Sequence, residues 1–187
     1  MKEIASASDS CSAFLTRNAS QSEQIKVAGL FYVTCRDQNG FFKWRDIIEN
    51  LVTTLGKNDL LDKYLNGAAY TQTFRMGLKG VGAAAAGDTQ AAHAGWLEVG
   101  LANAPTYTGN RKSPTMGAAA AGVSTSNAQV FAITSAGTVA GCFTNNGGSA
   151  TIDDATGILI SAGDFTGGNK VVANGDSLTV TYSLTIA

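Results

Sequence analysis

The clearest periodic signal in the chain lies at its end. From Ser177 to Ile186 the sequence reads Ser-Leu-Thr-Val-Thr-Tyr-Ser-Leu-Thr-Ile, with Leu178, Val180, Tyr182, Leu184 and Ile186 on every second position. Only Ser and Thr stand between them. Side chains of a strand point to alternate faces, so this segment is predicted to be a strand with an apolar wall for the core and a hydroxyl-lined wall for solvent or a partner. A helix, turning about 100° per residue, would smear the same apolar set around its whole circumference. Asn174-Gly175-Asp176 supplies the turn that leads into it.

The same patterning locates the other elements. Val27 to Cys35 is rich in β-forming residues, and Asp37-Gln38-Asn39-Gly40 is a hairpin turn. The returning strand, Phe41 to Val52, alternates imperfectly and predicts a bulge near Arg45 to Ile47. One short helix is predicted near 58–66, with Asn58 as its N-cap, Leu60, Leu61, Tyr64 and Leu65 on one face, and Gly67 as its left-handed terminator. Its narrow apolar stripe suits a helix that plugs one edge or end of a sheet structure. Further strands are expected at Thr73–Lys79, Gly95–Val99, Ala128–Thr134, Thr138–Thr144 and Ile158–Ala162, with another within Phe165–Val172. Eight or nine strands at this spacing predict a mainly β protein, an antiparallel β-sandwich of jelly-roll or Greek-key type with one short helix.

Residues 1–25 break the pattern. They are rich in Ser, Asn and Gln and carry one apolar cluster, Ala13-Phe14-Leu15. Such a segment is too polar to fold alone, so it is read as an extended N-terminal arm attached to a single domain over 26–187. It lies either on its own domain or on a neighbouring chain. Phe14 and Leu15 are its expected partner-binding anchors, with Arg17 as a polar rim contact, because buried apolar and aromatic side chains carry most interface energy.

Composition narrows the classes of function. Of 187 residues, 44% are apolar, enough for a core, but only 14% are charged, against roughly a quarter in ordinary domains. A surface of neutral polar groups suits a protein that packs into a large assembly. Thirteen basic and fourteen acidic residues leave a formal net charge of −1, without the basic field that nucleic-acid binding needs. No apolar run approaches the ~20 residues that span a bilayer, and the first residues form no signal-peptide core. Neither nucleic acid nor membrane is an expected partner. The three cysteines, Cys11, Cys35 and Cys142, make neither a metal spacing nor a disulfide framework. They point to synthesis in a reducing cytoplasm.

Catalytic and metal-binding constellations do not assemble. The lone histidine, His93, has no nucleophile or elbow motif nearby and reads as a loop residue bonded to backbone. Asp153, Asp154 and Asp164 lack the regular spacing of a calcium loop. Glu49 and Glu98 have no sequence relation that marks a glycosidase pair. Gly80-Val81-Gly82-Ala83-Ala84-Ala85 starts like a dinucleotide fingerprint but lacks the third glycine and the βαβ context. Trp44 and Trp96 read as packing residues. The chain is expected to be a non-enzyme without catalytic residues, cofactor or metal.

Several ordered pieces carry a resemblance to a known group. They are Phe42-Lys43-Trp44, Asn50-Leu51-Val52-Thr53, Gly56-Lys57-Asn58-Asp59-Leu60-Leu61-Asp62-Lys63-Tyr64-Leu65, Gly77-Leu78 and Gly87-Asp88-Thr89, then His93-Ala94-Gly95-Trp96-Leu97-Glu98 and Thr138-Val139-Ala140-Gly141-Cys142-Phe143. Phe165-Thr166-Gly167-Gly168 and Val172-Ala173-Asn174-Gly175-Asp176 complete the set. In these pieces, from about Lys26 to the C-terminus, the chain resembles a family of tailed-bacteriophage virion structural proteins of the head decoration (cement) or minor tail type. The resemblance implies a β-sandwich without catalytic residues on the exterior of a capsid, made in the bacterial host cytoplasm. Its partners would be the major capsid protein and further copies of itself, as a dimer or trimer, and its role capsid stabilisation. A tail, baseplate or fibre component that binds a neighbouring virion protein or a host surface glycan is the alternative.

Overall fold

The computed structural model describes residues 26–71 and 73–187. The arm over 1–25, with Phe14, Leu15 and Arg17, lies outside the described residues.

The architecture is mainly β and antiparallel, with eleven strands and one helix among the described residues. Strands β1 (Val27–Arg36) and β2 (Phe42–Val52) form the first hairpin, and α1 (Thr54–Tyr64) follows directly. Then come β3 (Arg75–Lys79), β4 (Glu98–Val99), β5 (Val123–Thr125), β6 (Gln129–Ala132), β7 (Gly137–Val139) and β8 (Gly141–Asn146). The chain closes with β9 (Ile158–Asp164), β10 (Lys170–Val172) and β11 (Ser177–Ile186). Hydrogen bonds order the main sheet β4-β3-β8-β9-β2-β1-β11-β5, with β6 also on β11, while β10 and β7 form a separate ribbon.

The main sheet folds on itself at β2. That strand pairs with β1 from Phe42 to Asn50, then with β9 through Leu51 and Val52. A strand that changes partners in this way makes the corner of a sandwich. The two halves share one core: Phe31, Val33, Ile48, Leu178 and Val180 come from the β1–β2–β11 half, and Met76, Leu78 and Cys142 from the β3–β8–β9 half. Strands distant in sequence, such as β3 with β8 and β1 with β11, are joined by long returns in the Greek-key manner. On the other face of β8 and β9, Phe143, Leu159 and Ala162 pack against Trp96, delivered by the Gly- and Ala-rich loop after β3.

The terminal strand has its expected bounds, and Leu178, Val180 and Tyr182 are buried on one face. Leu184 is partly buried, whereas Ile186 is exposed, because β11 outruns the core at its end. Four expectations are corrected. The bulge sits at Lys43, not at 45–47: Cys35 opposes Trp44 and Arg36 opposes Phe42. The extra residue turns Lys43 toward Asp176, whose carboxylate it meets at 2.5 Å. Thr138–Thr144 is two strands in two sheets, because β7 pairs with β10 before the chain crosses at Ala140 to β8. A short strand absent from the expected set, β5, precedes β6 and pairs with β11.

The fourth correction concerns the helix. It runs over Thr54–Tyr64 instead of 58–66, and its N-cap is Thr53, not Asn58. The Thr53 hydroxyl oxygen accepts the Gly56 N–H at 3.0 Å, satisfying one of the free donors of the first turn. The Thr53 backbone N–H also donates to Ile160 O at 3.0 Å, which fastens the helix start to β9. Gly56 faces the same strand, where a β-carbon would stand 2.4 Å from Ile160 O. The helix therefore docks through its backbone, with Gly56 and Asp59 buried. Leu61, Tyr64 and Leu65 point outward, Tyr64 at 87% and Leu65 at 73% exposure.

Candidate functional site

Two regions combine shape with chemistry. The first is polar and lies around Glu98 on β4. Arg111 Nε donates to Glu98 Oε1 at 2.9 Å and Nη2 to Oε2 at 2.6 Å, a two-pronged contact with both side chains sealed from solvent. The guanidinium also donates to the carbonyls of Ser149 and Asp154, and the Asp153 N–H donates to Glu98 Oε2 at 3.0 Å. Burial pushes the Glu98 carboxyl above its usual range, and Arg111 pulls against that push. Beside it lies a cavity of about 100 Å³ with His93, Asn103 and Asp153 in its wall.

This arrangement braces the loops around β4. Both Glu98 oxygens accept hydrogen bonds from the protein itself, Oε1 from Arg111 and Oε2 from Arg111 and the Asp153 backbone. His93 Nδ1 lies 3.0 Å from Trp96 O, and its ring stacks on the Trp96 indole at 3.9 Å. Trp96 Nε1 in turn donates to Asp88 Oδ2 at 2.9 Å. Glu49 is exposed on β2, whereas Glu98 is buried against Arg111, so the two carboxylates share no site. Asp164 pairs with Lys79, and Asp154 accepts from the Thr156 N–H at 2.8 Å. Among the described residues no cluster of three or more His, Cys, Asp or Glu side chains could hold a metal ion.

The glycine loop after β3 has the wrong polarity for phosphate. A phosphate cradle offers N–H groups to an anion. Here the carbonyls of Gly80 and Gly82 accept from the buried Lys79 ammonium, which also meets the Asp164 carboxylate and lies 5.7 Å from the Trp96 ring. Trp44 packs edge-on against Phe165 at 5.4 Å. Burial and the nearby Asp176 carboxylate push the Cys35 thiol up to about 11, and burial pushes Cys142 up as well. Both shifts disfavour the thiolate that nucleophilic chemistry requires.

The second region is apolar. Where α1 meets the end of the sandwich, a cavity of about 370 Å³ opens between the helix and the sheet halves. Leu60, Phe74, Met116, Ile160, Tyr182 and Leu184 line it, and Tyr64 and Tyr70 stand at its rim. Its polar lining is small. Asp59 accepts from Asn146 Nδ2 at 3.2 Å and lies 3.6 Å from the Lys63 ammonium, while Asn146 Oδ1 is buried without a donor among the described residues. A second apolar area sits on the outer face of the β1–β2 hairpin, where Tyr32 and Ile47 are register partners, 46% and 45% exposed. Sequence reasoning missed the cavity and the outward turn of α1. The signal was present in Thr53 as a cap and in Gly56 within the first turn, the residue that permits close backbone approach.

Compared with protein-family models, with curated proteins and with solved structures, the chain gives no match. Among the described residues no helix is long and apolar enough to cross a membrane.

Proposed function

We propose that the protein is a non-enzymatic virion structural protein, a capsid decoration protein that binds the major capsid protein lattice and stiffens it. One observation carries this reading. Buried charges such as Arg111, Lys79 and Asp176 are matched inside the fold, while the large side chains of Tyr32 and Ile47 stand in solvent side by side on the hairpin face. Exposed apolar area that the fold does not use marks a surface that meets another protein. Low charge and the resemblance of the ordered sequence pieces to phage head and tail proteins point the same way.

In this reading the hairpin face, with Tyr32 and Ile47 at its centre and Arg45 beside them, lies against the capsid. Each copy needs only a standard interface, because many copies on a repeating lattice add avidity. The test is co-sedimentation of the purified chain with capsids that lack it. Saturation at a stoichiometry comparable to the major capsid protein is expected, together with strong loss of binding for Tyr32→Glu combined with Ile47→Glu. Saturation at a few copies per particle would move the protein to the tail. Absence of binding to any virion part would overturn the reading.

A further inference from the structure

We propose that the cavity between α1 and the end of the sandwich is the docking site for this chain's own N-terminal arm, with Phe14 and Leu15 entering it. The proposal stands apart from the identity of any capsid partner.

The cavity is built for apolar side chains, and the surface that continues from it is apolar too. Leu60, Phe74, Ile160 and Leu184 line the interior, and the helix side that borders it exposes Leu61, Tyr64 and Leu65. A helix that turns its apolar side outward next to an apolar opening of about 370 Å³ leaves a contact surface uncovered. Within residues 1–25, the one run of consecutive apolar residues with an aromatic is Ala13-Phe14-Leu15.

The place where the arm joins the domain brings it within reach. Lys26 enters the sheet beside the other terminus, donating its N–H to Ala187 O at 2.6 Å. Three positions on, Gly29 is the register partner of Leu184, which lines the cavity. That separation is about 10 Å along the strand and one strand spacing of about 4.8 Å across. Leu15 precedes Lys26 by eleven positions, a tether that extends to roughly 35–40 Å. A tether longer than the gap holds the anchor near its site at an effective concentration in the millimolar range. The same chain therefore outcompetes a second copy in dilute solution.

The polar groups in the wall match the arm as well. Asn146 Oδ1 is buried and lacks a donor among the described residues, and an extended arm presents backbone N–H groups. The Asp59 carboxylate lies in the same wall, two residues' reach from Leu15 for Arg17.

The arm carries its own probe. Cys11 stands three positions before Phe14, while Cys35 and Cys142 are buried. In the full-length chain, Tyr64→Cys places a thiol at the exposed rim without touching the core. Asn39→Cys, in the exposed turn at the opposite end of β1, is the control. Under mild oxidation at micromolar concentration, Cys11 is expected to cross-link to position 64 within one chain about tenfold faster than to position 39. Phe14→Ser combined with Leu15→Ser should abolish the difference. Equal rates at the two positions would overturn the proposal. Cross-linked dimers in place of compact monomers would overturn it in favour of exchange between copies. Capsids are absent throughout, so the result is independent of capsid binding.

Discussion

Strand β11 and helix α1 were the two elements with the plainest apolar patterns, and the fold treats them in opposite ways. In β11 the pattern is obeyed as far as Tyr182: Leu178, Val180 and Tyr182 are buried, Thr179 and Thr181 face away from the core, and only beyond them is Ser183 buried and Ile186 exposed. In α1 the apolar side is turned outward, and a glycine and an aspartate are buried instead. The difference lies in what holds each element. Ten residues of β11 are paired with β1, and its other edge carries β5 and β6. A one-residue slip would send every apolar side chain to the wrong face, so hydrogen bonding and burial enforce each other. The helix is held from one end, by Thr53 against β9 and by the close approach of Gly56 to Ile160. Backbone docking does not require the apolar side, which stays available for another contact.

Substitutions can break or sharpen that contrast. The largest effect is expected from Val180→Asp, which would put an unpaired carboxylate into the shared core. The cost, several kcal/mol, approaches the whole stability of a small domain, and thermal melting should show loss of the cooperative transition. A variant that melts like the parent would mean that β11 has been placed in the wrong register. Next is Glu98→Gln, which leaves the Arg111 guanidinium buried without its counter-charge and should cost about 3–5 kcal/mol in urea unfolding. Gly56→Ala should cost about 1–3 kcal/mol, because its methyl must push the helix off Ile160. An unchanged unfolding midpoint would mean that α1 is not docked through its backbone.

The smallest effects belong to the surface. Leu61→Ser should shift stability by no more than about 0.5 kcal/mol, since its side chain is outside the core. A loss like that of a core leucine would place the apolar face of α1 inward after all. An acid titration adds a signed test at the hairpin. Burial alone would raise the Asp46 pKa, but Lys170 at 2.7 Å, the Thr166 hydroxyl and the N–H groups of Ile47 and Gly167 hold it below the usual value. A depressed carboxyl contributes stability above its unfolded pKa of about 3.9 and loses it as pH falls through the lower folded value. Melting below about pH 4 should therefore decline less steeply in Asp46→Asn than in the parent.

The elements that were legible in the sequence are those whose partners lie on both sides or close by. The β1–β2 hairpin and β11 follow from alternation and turn residues alone. The helix was visible as an element, but its start was placed four residues late, because Gly56 lowered the apparent helix propensity and the Thr53 cap was passed over. The split at Ala140 was hidden because a change of sheet needs no change of residue type. The Arg111–Glu98 pair carries no local mark, since Arg111 is chosen by the fold from a loop thirteen positions downstream. The apolar cavity could not be read for a related reason. It exists only where α1, β9 and β11 meet.

The central claim is that the apolar face of the β1–β2 hairpin, left outside this fold, is the proposed means of attachment. Hydroxyl-radical footprinting of the protein, free and on the particle, tests it directly. The account predicts that Tyr32 and Ile47 are modified readily in the free chain and become protected once it is bound to capsids. Equal modification of both residues in the two states, with the protein fully bound, would contradict it.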